Sequence, residues 1–117
     1  DRASRLQTTF SEQVAHFPSG YTQFLSALDF SLGPAREVVI SGSLGAKDML
    51  DAVRSRYFPN QVILFRPTGR QGEEIDAIAG FAKHYNPLDG RATAYVCSGQ
   101  ACKSPTTEVK ELLALLG

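Results

Sequence analysis

Three short runs rich in β-branched residues, at 37–42, 61–66 and 92–97, alternate with segments that carry helical stripes. This alternation constrains the fold more than any other feature of the chain. The run 37–42 ends in Gly42 and reads as a buried strand, and 61–66, with Val62, Ile63, Leu64 and Phe65 in succession, is the strongest strand signal. Between them, Met49, Leu50, Val53 and Tyr57 share one side of a helix over 47–58, which Pro59-Asn60 breaks. A second helix is expected over 73–85, with Ile75, Ile78, Ala79, Ala82 and Tyr85 in register. Its acidic residues come first and Lys83-His84 last, as the helix dipole favours. Val109, Leu112, Leu113 and Leu116 mark a short C-terminal helix. Strands joined by helices longer than about ten residues imply parallel pairing through right-handed crossovers. The expectation is a small Rossmann-like three-layer α/β sandwich with three parallel strands, and with a β-hairpin at Cys97–Cys102.

The first 34 residues read differently. Leu6, Phe10, Val14 and Phe17 form one helical stripe, Pro18-Ser19-Gly20 turns the chain, and Phe24, Leu25, Leu28 and Leu32 form a second stripe that Gly33-Pro34 stops. Two amphipathic helices and a short turn make an αα-hairpin. The sequence is therefore read as a hairpin over 1–34 followed by an α/β domain over 35–117.

Composition excludes several function classes. Twelve Lys and Arg balance twelve Asp and Glu, so the chain lacks the net basic surface that general nucleic-acid binding requires. No apolar run approaches the roughly 20 residues that span a bilayer. No apolar stretch follows Asp1-Arg2-Ala3-Ser4-Arg5, so no signal peptide is read. Two cysteines are too few for a disulfide-stapled secreted scaffold, and a cytoplasmic location is expected.

Two segments carry candidate chemistry. The loop Ser41-Gly42-Ser43-Leu44-Gly45 follows a strand and precedes a helix, where open α/β sheets bind ligands and glycine-rich turns cradle phosphate. Gly42, Ser43, Gly45 and Lys47 are the ligand-binding candidates, with Lys47 facing an anion. The spacing matches neither the dinucleotide fingerprint nor the phosphate-binding loop. The simpler reading is that the glycines turn the chain and Ser43 caps the helix. The second segment is Cys97-Ser98-Gly99-Gln100-Ala101-Cys102. A turn at Ser98-Gly99 would bring the cysteines within bridging distance, and Lys103 and the start of the last helix would lower a thiol pKa. Reduced structural thiols, a disulfide or redox pair, and metal ligands all stay open. A zinc site needs about four ligands, and His16 and His84 lie far off in sequence. No cofactor or resident metal is expected. Glu73, Glu74 and Asp76 cluster as acid–base pairs do, yet they occupy a helix start where carboxylates are favoured anyway. His16 and His84 near helix ends, Arg54 and Arg56 on a polar face, and Tyr21 and Phe24 at helical spacing all have structural explanations.

The segments Phe17-Pro18-Ser19-Gly20-Tyr21, Ala27 through Pro34, Arg36 through Gly42, Tyr57 through Val62, and Ala94-Tyr95-Val96-Cys97 with Cys102-Lys103-Ser104-Pro105-Thr106-Thr107 resemble one family across nearly the whole chain. It is the family of large thioredoxin-domain proteins related to the spermatogenesis-associated thioredoxin-like protein, and the resemblance is to their C-terminal segment. The resemblance implies a longer parent with a thioredoxin-like domain, a central α/α barrel similar to six-hairpin glycosidases, and this segment. The hairpin over 6–32 would then be the last helical pair of the barrel. Catalytic motifs would lie upstream, so no catalytic residue is carried onto this chain. The family often has an aromatic between the cysteines, where this chain has Ser98-Gly99-Gln100-Ala101, which weakens the loop as a binding surface. Three roles follow as expectations. The first is a non-catalytic structural or interaction module that packs on the upstream domains and self-associates when isolated. The others are a Cys97/Cys102 pair exchanging with the thioredoxin-like domain, and a small-ligand site at the strand ends.

Overall fold

A computed structural model describes residues 1–99 and 101–117. Contacts divide the chain into two compact units, Asp1–Pro34 and Ala35–Gly117.

The first unit holds helices α1 (Arg2–His16) and α2 (Thr22–Leu32), joined through a 3-10 turn at Pro18–Tyr21. The Asp1 carboxylate caps α1 by accepting from the Ala3 amide at 2.7 Å. Phe10 and Phe24 meet edge to face at 6.2 Å, and the Gln7 side-chain amide donates to the Ser31 hydroxyl at 2.9 Å. Val14 is the buried side chain of this unit; Leu6, Phe10, Phe17 and Leu32 remain 54%, 38%, 62% and 78% exposed.

The second unit is a four-stranded sheet in the order β2-β1-β3-β4, with β1 at Arg36–Ser41, β2 at Gln61–Arg66, β3 at Thr93–Ser98 and β4 at Ala101–Cys102. Helices α3 (Ala46–Arg54), α4 (Arg70–Ile78) and α5 (Val109–Leu116) complete it. β1 pairs parallel with β2, so Val38 sits beside Ile63 and Ile40 beside Phe65. β1 pairs antiparallel with β3, placing Val38 opposite Val96 and Ile40 opposite Ala94. Because side chains alternate along a strand, these six residues share one face. That face packs on Met49 and Val53 of α3 and Leu112 and Leu116 of α5 to form the core. The other face carries Val39, Ser41, Arg66, Thr93, Tyr95 and Cys97 and lies under α4 and the 3-10 turn at Gly80–His84.

The Rossmann-like sandwich of three parallel strands is not formed. The β1–α3–β2 crossover is parallel as expected, but β3 runs against β1 and the sheet is mixed. The cause lies in the second crossover. The expected helix over 73–85 ends at Ile78, where Ala79 leaves helical geometry (φ −119°, ψ 74°), and Ile78 points to solvent at 86% exposure. The shorter helix and the following 3-10 turn deliver the chain to the C-terminal end of β1. There the Ser41 hydroxyl donates to the Tyr85 carbonyl at 2.6 Å. Gly42 anchors the same junction: its φ is +102°, and a Cβ there would lie 2.9 Å from the Pro87 side chain. Entry beside the end of β1 leaves β3 only the antiparallel direction, from Thr93 opposite Ser41 to Ser98 opposite Arg36. Past Ser98 the chain turns into β4; Gln100, within the expected hairpin, lies outside the described residues.

Candidate functional site

Cys97 is the fifth residue of β3 and points to the face under the Gly80–His84 turn, where it is 3% exposed. Gly99, with φ +61°, reverses the chain at a conformation that glycine adopts without cost. Cys102 then pairs directly opposite Cys97 in the antiparallel register, and Lys103 continues the ladder by donating its amide to the Val96 carbonyl at 2.9 Å. The two sulfurs are joined as a disulfide, with Cα atoms 4.0 Å apart. Cys102 sits exposed on the edge strand while Cys97 is enclosed, so the bond runs from surface to interior.

Tyr85 completes the site. Its hydroxyl lies 3.7 Å from Cys97 Sγ and 4.0 Å from Cys102 Sγ. A disulfide sulfur carries no hydrogen, so the phenol is the donor. The Tyr85 ring meets Tyr95 edge to face at 4.9 Å, and the Tyr95 hydroxyl donates to the Asn86 carbonyl at 2.5 Å. Burial pushes the Tyr95 pKa up. Tyr85 is a site residue that the sequence reading missed. Its spacing fits the stripe with Ile75, and only the end of α4 at Ile78 turns it towards the sulfurs. Lys103, expected beside a thiol, instead donates its ammonium to the Leu115 carbonyl at 2.7 Å. The Arg36 guanidinium joins it at the same helix end, on the Leu116 carbonyl at 2.6 Å. It is thus the C-terminal end of α5, not its start, that approaches β4.

The glycine loop is organised as structure. Gly42 is buried against Pro87 and the backbone of Arg91 and Ala92. Ser43 accepts from the Thr68 amide at 3.0 Å and bonds the Thr68 hydroxyl at 2.9 Å, which ties the two strand-end loops together; its side chain does not cap α3. Gly45, with φ +85°, is the N-cap of α3 and borders a cleft of about 390 Å³ that also includes Leu44, Arg91 and Glu108. Arg91 and Glu108 face each other across 3.6 Å. Lys47 pairs with Asp51 one turn along α3 at 2.6 Å.

The acidic cluster is likewise dispersed into pairs. Asp76 takes a two-pronged ion pair from Arg66, both contacts at 2.7 Å, and Glu74 takes Arg70 at 3.1 Å. His16 ends α1, His84 ends the 3-10 turn, Arg54 lies in the last turn of α3, Arg56 is exposed, and Phe24 packs on Phe10. Among the described residues no three His, Cys, Asp or Glu side chains converge as metal ligands, and no helix is long and apolar enough to cross a membrane.

No protein-family model matches the chain, and no solved structure matches it. Curated proteins do. Human spermatogenesis-associated protein 20 is 33% identical over 119 aligned residues that take in 99% of this chain. The rat and mouse proteins of the same name are 31% and 30% identical over the same share. The chain spans about 15% of the length of each of these relatives. Across nearly its whole length, this chain is related to the spermatogenesis-associated protein 20 family.

Proposed function

We propose that the chain acts as a non-catalytic structural and interaction module within a longer protein, using the α1–α2 hairpin as its docking element. One observation carries this reading: the hairpin buries Val14 but leaves Leu6, Phe10, Phe17 and Leu32 in solvent. Four large apolar side chains on a 34-residue unit are more than a self-sufficient hairpin would expose, and apolar surface left in water marks an interaction site. The 15% span of the relatives supplies room for a partner within the same polypeptide. On this reading the hairpin is the last helical pair of the α/α barrel that the family resemblance implies. The test is the behaviour of the isolated chain. Light scattering at rising concentration is expected to show self-association, with bright fluorescence from an apolar dye. Adding the rest of the longer protein in trans should quench both. A strictly monomeric, dye-negative chain at high concentration would end the proposal.

A second reading is favoured by the Cys97–Cys102 bond at the exposed sheet edge. In it the pair cycles between disulfide and dithiol, exchanging with the thioredoxin-like domain that the resemblance implies. Alkylation and mass measurement across a series of glutathione potentials should show one two-electron transition near cytosolic potentials. A bond that never opens across that range would remove this reading.

A further inference from the structure

We infer that exchange at this hairpin is directional: an incoming thiolate attacks Cys102, Cys97 is the leaving group, and the Tyr85 hydroxyl stabilises the departing sulfur. This rests on the redox reading above. Which sulfur of a disulfide reacts is set by access and by the stability of the thiolate that leaves. Access selects Cys102 as the sulfur attacked, and the Tyr85 phenol offsets the cost that burial places on a Cys97 thiolate. Cys102 lies exposed on the two-residue edge strand β4, while Cys97 is 3% exposed, with the Tyr85 hydroxyl beside its sulfur. Tyr85 is the donor to the pair and lies nearer Cys97, at 3.7 Å against 4.0 Å. A donor at the buried sulfur matters more than one at the surface, because an unsolvated thiolate has no water to stabilise it.

The position of the phenol is fixed from two sides. The fully buried Ser41 hydroxyl holds the Tyr85 carbonyl at 2.6 Å, and Tyr95 packs against its ring. Tyr85 therefore stays in place while the S–S bond breaks.

The chemistry balances with an external dithiol as reductant. Its first thiolate forms a bond to Cys102 Sγ, and the Cys97–Cys102 bond breaks with its electron pair going to Cys97 Sγ. That sulfur accepts the Tyr85 hydrogen bond and then a proton from solvent. The second thiolate of the reductant attacks the reductant's own sulfur in the mixed disulfide, releasing Cys102 as a thiolate. The reductant ends as a disulfide, having lost two electrons, and the hairpin ends as two thiols. With a monothiol the reaction halts at the mixed disulfide when a second thiol is scarce, and this makes the direction measurable.

The experiment treats the oxidised chain with limiting glutathione, quenches with acid, alkylates and maps the adducts by mass. The expected result is glutathione on Cys102 and alkyl on Cys97, in at least about a tenfold excess over the reverse. In parallel, Tyr85→Phe should slow opening about three- to tenfold, the worth of one ordinary hydrogen bond. Alkylation of Cys102 in the reduced protein should keep its wild-type rate. A substitution that merely loosened the hairpin would speed opening instead. Equal or reversed adducts overturn the direction, and an unchanged or faster opening rate in Tyr85→Phe overturns the role of the phenol; either leaves the redox reading intact. A wild-type bond that glutathione never opens overturns both. Adduct mapping in the wild type needs no variant, so the direction stays open to refutation even if Tyr85→Phe fails to fold.

Discussion

The two units turn similar apolar stripes into different structures. In Asp1–Pro34, α2 is the more apolar of its two helices yet buries no residue fully. In Ala35–Gly117, α5 has only eight residues and buries Leu112 and Leu116 almost completely. Helical periodicity is present in both. What differs is the second surface: α5 lies on α3 and a sheet face of Val38, Ile40, Ala94 and Val96, whereas α2 has one neighbouring helix within its unit. A stripe says which side of a helix seeks cover, and only the surrounding layers decide whether cover exists.

The sharpest way to break this contrast is a pair of leucine truncations. Leu112→Ala should cost about 3 kcal/mol of unfolding stability, since a fully enclosed leucine loses both its transfer energy and its packing partners. Leu32→Ala, at a site 78% exposed, should stay within about 0.5 kcal/mol of wild type. Urea unfolding followed by circular dichroism measures both. Comparable losses would mean that the hairpin has a core of its own and needs no partner.

Glycine substitutions sharpen the description of the second unit next. Gly42→Ala forces a side chain into left-handed backbone and into Pro87, with the Arg91 carbonyl 3.1 Å away, and should cost about 2 kcal/mol or more. Gly45→Ala meets the left-handed penalty alone, because the space around it is open, and should cost about 1 kcal/mol. Equal losses would show that the Gly42 junction, which sends β3 antiparallel, tolerates rearrangement.

These sites also show what was legible in the sequence. The runs Val38-Val39-Ile40 and Val62–Phe65 were readable as strands from their unbroken apolar, β-branched character; the first is buried on both faces, whereas β2 lies at the sheet edge and leaves Val62 48% exposed. Met49, Val53, Leu112 and Leu116 were readable as core from helical spacing. The direction of β3 was not. It depends on whether the segment after Arg70 continues as helix to Tyr85 or stops at Ile78, and apolar residues at Ile75, Ile78, Ala82 and Tyr85 fit one stripe either way. Gly80, inside that stripe, was the available sign of a break. At the candidate site the two cysteines and the turn at Gly99 could be read locally. Tyr85 could not, because its approach to the sulfurs is a product of the same break. Nor could the sequence show that Pro87 and Thr68 reach Gly42 and Ser43 from distant parts of the chain.

The Arg66–Asp76 pair tests the second helical layer with a smaller, pH-dependent effect. Two hydrogen bonds from the Arg66 guanidinium, opposed by partial burial and aided by its charge, hold the Asp76 carboxyl below its ordinary value of 3.8. A depressed folded pKa gives stability that is complete above the unfolded value and lost as pH falls through the folded one. Asp76→Asn should therefore be less stable than wild type at neutral pH, with the gap closing as the solution is acidified below the ordinary carboxylate range. Unfolding curves at neutral pH and at successively lower pH check this. A gap that stays constant with pH would mean that Asp76 contributes through packing rather than charge.

The smallest effect should come from Lys47, and there the second unit should behave like the first. Lys47 and Asp51 pair along one exposed flank of α3, with side chains 85% and 57% accessible to solvent. The hydrogen bond that Lys47 donates to the Asp51 carboxylate, then the charge of that carboxylate, raises the lysine pKa. Such a pair in water gains little net energy, because solvent and salt screen the attraction and two long side chains must be held still. Lys47→Ala should leave the urea midpoint unchanged within error at physiological salt. The same variant decides whether the ammonium serves an anion at the strand ends. With its charge committed to Asp51 rather than to the Gly42–Gly45 loop, inorganic phosphate at millimolar concentration should shift the melting temperature of wild type and variant equally, through general salt effects alone. A rise confined to wild type would reveal an anion site at that loop, since a ligand that binds only the folded chain must stabilise it. It would also give the second unit a candidate surface beyond the proposed cysteine hairpin.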